Sequence, residues 1–137
     1  MKLALQEAQA AFDKDEVPIG AVVTFKNTII GKGHNQVEQL QDPTAHAEMI
    51  AITAATNYVG AKFLTDCTLF ITVEPCVMCA GAIKWSRIGK VVFGCREPRS
   101  GFLANHSLVL NGVEMVGGIE EEQAKNLMQE FFKQKRK

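Results

Sequence analysis

Residues Thr68-Leu69-Phe70-Ile71-Thr72-Val73 are nearly all apolar or β-branched, and the run stops at Glu74-Pro75-Cys76. Strict alternation would indicate a strand with one wet face. A continuous run of this length suits a central strand covered on both faces. A chain holding such a strand needs one layer above it and another below. Proline is tolerated in a first helical turn, where the missing N–H would have no partner within the helix. A helix is therefore expected from Pro75 to about Trp85.

The rest of the chain supplies those layers. Leu5, Ala8 and Phe12 fall at helical spacing, which predicts an amphipathic helix over 2–14. Val17-Pro18 should end it, because a residue before proline is pushed towards extended geometry. Residues 19–25 and 28–33 read as two strands joined at Lys26-Asn27. Asp42-Pro43 reads as a helix start, with Asp42 as cap and Pro43 in the first turn, the helix ending near Gly60. Residues 90–93 are a further strand and 112–116 a last one. Residues 95–111, with Pro98, Gly101 and Asn105, show no period and read as loop. Ile119, Ala124, Leu127, Met128, Phe131 and Phe132 mark a final helix. The sum is an α/β fold: a three-layer α-β-α sandwich around a mixed sheet of about five strands, in one domain over 1–137.

At 137 residues, 47% of them hydrophobic and 22% charged, the composition is that of a globular chain and not a disordered one. Lys plus Arg equals Asp plus Glu at 15 each, so net charge points to no anionic partner. The C-terminal stretch is basic, with Lys125, Lys133, Lys135, Arg136 and Lys137. Such a tail suits phosphate, and it equally suits the negative end of a helix dipole. No signal peptide and no apolar run of the roughly 20 residues that a membrane span needs is visible, so the cytoplasm is the expected compartment. Four cysteines there read as thiols and not disulfides. Cys67 and Cys95 are expected as small buried side chains at strand ends. Tyr58 and Trp85 are expected to pack.

Two patches carry chemistry: His46-Ala47-Glu48 and Pro75-Cys76-Val77-Met78-Cys79. Together they offer one imidazole and two thiols, three protein ligands, which is the number that leaves a catalytic zinc an open fourth position. Cys76 and Cys79, three apart, face one side of a helix, and a first turn favours thiolate. His34 and His106 show no second spaced pair. Glu48 is too near His46 along the chain to be an obvious co-ligand, yet close enough to carry protons to and from a water at the metal. A C-x-x-C pair alone would also suit redox chemistry. His-x-Glu followed by Pro-Cys-x-x-Cys is the known signature of the zinc deaminases, which hydrolyse the amino group of a nucleobase.

At these residues the chain resembles the cytidine and deoxycytidylate deaminase superfamily, and within it the bacterial tRNA adenosine deaminases. The likeness rests on Glu16-Val17-Pro18-Ile19-Gly20-Ala21-Val22, on Asp42-Pro43-Thr44-Ala45-His46-Ala47-Glu48 and on nearly all of 68–94. It implies one zinc per chain on His46, Cys76 and Cys79, with Glu48 as proton shuttle. It further implies that Asn35 and the backbone N–H of Ala47 hold the substrate, that the chain pairs as a homodimer, and that Phe131-Phe132-Lys133 lies in the part approaching the tRNA anticodon loop. From the residues alone, Asn35 could simply end a strand. The chain departs from the family pattern over 95–112, which is shorter and reads Leu110-Asn111-Gly112 where the family has Leu-Asn-His before the last strand. The leading expectation is conversion of adenosine to inosine at the tRNA wobble position. A deaminase of a free base or nucleoside (guanine, cytosine or cytidine) is the alternative, and a non-catalytic zinc-stabilised binding module is the third.

Overall fold

The computed structural model describes residues 1–105 and 107–136, so the readings on His106 and Lys137 lie outside the described residues. Five strands form one sheet in the order β2-β1-β3-β4-β5: β1 (Gly20–Phe25), β2 (Thr28–His34), β3 (Cys67–Val73), β4 (Lys90–Cys95) and β5 (Glu114–Val116). β1 runs antiparallel to both β2 and β3, whereas β3–β4 and β4–β5 are parallel. The sheet is mixed, as expected, and the continuous apolar run is its middle strand. Leu69, Ile71 and Thr72 on β3 are all fully buried, so both faces are covered. The β1–β2 connection is two residues, Lys26 and Asn27, both at positive φ. That geometry matches the twist of a hairpin.

Helices cover the two faces. α1 (Lys2–Asp13) and α6 (Glu121–Lys135) pack together on one side. α3 (Ala47–Val59) and α4 (Val77–Trp85) lie on the other. The loop expected after β4 contains two short turns of helix, α5 (Phe102–Asn105) and a 3-10 turn (Ser107–Leu110), which pack against α4. Their short length explains why no period was visible in the sequence.

Two helix starts differ from expectation. Asp42-Pro43 does not begin a helix. A four-residue helix, α2 (Val37–Leu40), precedes it, and Asp42 instead accepts hydrogen bonds from the backbone N–H (2.9 Å) and hydroxyl (2.7 Å) of Thr44. An aspartate that caps its own local turn satisfies the same preference as a helix cap. α3 starts later, at Ala47, with His46 as N-cap. Likewise α4 starts at Val77 with Cys76 as N-cap, two residues past Pro75.

Contact between α3 and β2 fixes where α3 begins. A Cβ placed on Gly33 would lie 2.7 Å from the Ala47 carbonyl oxygen and 2.8 Å from the Ala51 nitrogen. Only a residue without a side chain lets the helix backbone approach the strand this closely. The first turn of α3 is thereby seated against the end of β2, beside Asn35.

Candidate active site

The ends of β2 and β3 lie in the same part of the sheet, and the helices that follow them present their N-termini there. His46 and Cys76 both hold extended backbone (φ −76°, ψ 155° and φ −75°, ψ 175°), and neither uses its side chain to cap its helix. Both side chains are therefore free to turn to one point. Cys79, the third residue of α4, is fully buried and joins them. His46 Nδ1 stands 3.7 Å from Cys76 Sγ and 3.5 Å from Cys79 Sγ, and the three donor atoms lie within 4.8 Å of one another. Tetrahedral zinc, bonded at about 2.3 Å to sulfur and about 2.0 Å to nitrogen, sets such donors about 3.6 Å apart. The donor set and its spacing both fit that ion. Four free thiols occur in the chain; Cys67 and Cys95 are buried at strand ends, as expected, away from this group.

The titratable groups of the cluster act on one another. The Cys79 thiol, with His46, holds Cys76 down at about 4, and the same bond to Cys76, with burial, pushes Cys79 up. The contact with Cys76 raises His46. Glu48, the second residue of α3, is 3% exposed, and burial pushes its carboxyl up to about 7. The Cys76 charge raises it further, while His46 and the Cys79 thiol act to lower it. A carboxyl poised near neutrality can both take and return a proton at working pH.

A cleft of about 930 Å³ opens onto this cluster. His46, Ala47, Asn35 and Ile19 line it on the metal side. Asn35 is buried, and its backbone N–H donates to the Ile19 carbonyl at 3.1 Å. Ala47 is the first residue of α3, where a backbone N–H has no partner within the helix. All six residues singled out in the sequence thus meet at one end of the sheet. The other wall comes from the 14–17 turn, α2, Phe131 and Lys135.

Two buried carboxylates escaped the sequence reading. Glu16, 1% exposed, accepts the backbone N–H groups of Glu38 (3.1 Å) and Gln39 (2.6 Å) and so holds α2 against the cleft. Glu74, 4% exposed, sits between β3 and Cys76. For Glu74 the available signal was an acidic residue ending a run of apolar and β-branched residues. Tyr58 and Trp85 do not pack within the chain: they are 66% and 83% exposed, because α4 buries Cys79, Ala80 and Ile83 and turns Trp85 outward.

A mixed five-stranded α/β sheet, carrying His-x-Glu and Pro-Cys-x-x-Cys at paired helix N-termini above a cleft, defines a hydrolytic deaminase. The chain belongs to the MafB19-like deaminase family, whose profile matches residues 1–136. It is similar to the tRNA-specific adenosine deaminase of Aquifex aeolicus (strain VF5), at 42% identity over 99% of this chain and 93% of that one. A solved structure from work on A-to-I editing by tRNA:A34 deaminases superposes with a TM-score of 0.88 at 34% identity, covering 93% of this chain and 96% of the other. The guanine deaminase of Nitrosomonas europaea follows with a TM-score of 0.83 at 25% identity over 95% and 81%. Membership of a deaminase family sets aside the non-catalytic binding module. No helix among the described residues is long and apolar enough to cross a membrane.

Proposed function

We propose that this chain converts adenosine to inosine at the wobble position of tRNA, with one zinc held by His46, Cys76 and Cys79. The observation that carries the chemistry is the donor spacing of 3.7 and 3.5 Å directly beside buried Glu48. Support for adenosine in tRNA comes from the near full-length likeness to an enzyme of that name. Zinc in this donor set supplies Lewis acidity that brings water towards ionisation near neutral pH. Glu48 takes a proton from that water and passes one to N1 of the purine. As the oxygen bonds to C6, Glu48 then takes the remaining proton from the new C6 hydroxyl and gives it to the amino group, so that the C6–N bond breaks, ammonia leaves and C6 keeps the oxygen as a carbonyl. Asn35 and the Ala47 N–H hold the nucleoside in register with Glu48. Extrusion of the base from a single-stranded anticodon loop costs less than from a duplex. Lys135 in the cleft wall, with Lys133 and Arg136 beside it at the end of α6, suits its phosphates.

Likeness to a guanine deaminase favours a second reading, a free base as substrate. One assay decides between them. Zinc-loaded protein is given an anticodon stem-loop with a wobble adenosine, with free adenosine, cytidine and guanine in parallel and Glu48→Gln as control. Inosine in the RNA alone is expected. Ammonia from a free base alone would overturn the tRNA reading and leave the zinc chemistry standing. The exposed Trp85 and Tyr58 suit a homodimer contact, and sedimentation of Trp85→Lys beside wild type tests it.

A further inference from the structure

Cys79 and Cys76 are secured differently. Cys79 is fully buried inside the first turn of α4. Cys76 is half-buried outside the helix proper, and its position depends on what holds the short 74–76 link. Part of that support is the helix, through Ala80 N–H to Cys76 O at 2.8 Å. The rest comes from the loop after β4. Gly101 pairs with Cys76 as an antiparallel bridge, and the Phe102 N–H donates to the Pro75 carbonyl at 3.0 Å.

The loop in turn is wrapped around one carboxylate. Glu74 Oε1 accepts the Glu97 N–H at 2.7 Å and Arg96 Nε at 3.1 Å, and Oε2 accepts the Leu103 N–H at 3.0 Å. Both ends of the 96–103 loop are therefore tied to a side chain only two residues from Cys76. Gly101 is shaped to this arrangement: a Cβ there would lie 2.5 Å from Glu74 Oε1 and would also strike its carboxyl carbon. Each donor lost from a buried carboxylate leaves it less well satisfied and loosens the segment that donor came from.

We infer that Glu74 is a positioning residue for the metal site: it clasps the 96–103 loop onto Pro75 and Cys76, and so fixes the half-buried thiolate. The inference rests on the zinc reading above, and it assigns this role to the stretch where the chain departs from its family's loop pattern. Loss of the clasp frees Cys76 while leaving the His46 and Cys79 donors in place, so the metal should escape faster. Groups that orient metal ligands typically change affinity by about 10–100-fold when removed.

The test is zinc release from the holoprotein to a chromophoric chelator. Glu74→Gln places an amide N–H₂ against a backbone or guanidinium donor, and about tenfold faster release is expected. Arg96→Ala removes one half-exposed partner and should give about a two- to threefold change, with the fold intact. Gly101→Ala attacks the same clasp from the loop side and should resemble Glu74→Gln; it and Arg96→Ala carry the test if Glu74→Gln does not fold. Val22→Ala, in β1 and remote from the loop, controls for general loosening at matched melting temperature. Release at the wild-type rate in the clasp variants, or equal acceleration in Val22→Ala, would overturn the inference. A wild-type chain that binds no metal would overturn the zinc reading as well.

Discussion

The two walls of the cleft are built on different principles. The metal wall consists of residues at or near two helix N-termini, held by main-chain contacts: Ala47 against Gly33, and Cys76 by its bond from the Ala80 N–H and its bridge to Gly101. The facing wall is assembled from distant parts. Glu16 reaches α2 across more than twenty positions, and α6 meets the 14–17 turn through an exposed Lys135–Asp15 ion pair at 2.6 Å. Main-chain contacts of this kind hold the donor atoms of the site. Long-range side-chain ties allow the opposite wall to be rebuilt for another substrate without disturbing them. The comparison explains how one deaminase framework can serve both a nucleic acid and a free base.

Four measurements would break or sharpen this contrast. The largest effect belongs to a donor. Cys79→Ala should lose bound metal by elemental analysis and drop deamination below detection; a variant retaining full metal would show that the metal wall is not built as described. Next comes the buried carboxyl in metal-free protein. Folding raises Glu48 from its ordinary value of 4.5 to about 7, so the folded chain keeps a proton that the unfolded chain releases over that interval. Stability from this group is full below pH 4.5, falls as pH rises to 7 and is flat above. Metal-free Glu48→Gln should therefore gain on wild type by about 3 kcal/mol between pH 4.5 and 8, read from denaturant midpoints. A pH-independent difference would place Glu48 in a wetter setting than found here.

Gly33→Ala probes the seating of α3. The added methyl meets the Ala47 carbonyl oxygen at 2.7 Å, and overpacking against backbone costs about 2 kcal/mol, a shift of several degrees in Tm. An unchanged Tm would mean that α3 can slide on β2. The smallest effect is expected on the facing wall. Asp15→Asn breaks an ion pair whose side chains are 74% and 48% exposed, and should cost under about 1 kcal/mol, less still at high salt. Loss of several kcal/mol would erase the distinction between the walls.

Legibility in the sequence follows the same division. The β3 run, the hairpin at Lys26-Asn27 and the pattern of helices alternating with strands were readable because each is local. So were His46, Glu48, Cys76 and Cys79, whose spacing is itself the constraint. The start of α3 was not. Asp42-Pro43 is as good a signal for a local turn as for a helix cap, and the choice was made by packing on Gly33, nine positions upstream. Glu16 and Glu74 were hidden for a related reason: a carboxylate shows its burial only when the donors that satisfy it are known, and those lie 22 to 29 residues away. Trp85 was misplaced because a large aromatic at the end of a helix carries no mark of which side faces out.

The closing of the facing wall by α6 also has a temporal side. Phe131 stacks edge-on against Phe12 of α1 with ring centroids 6.0 Å apart, so the last helix completes a contact with the first. A ribosome delivers His46, Cys76 and Cys79 well before Phe131 and Lys135. Chain order thus places His46, Cys76 and Cys79 outside the exit tunnel while α6, the last part of the facing wall, is still being made.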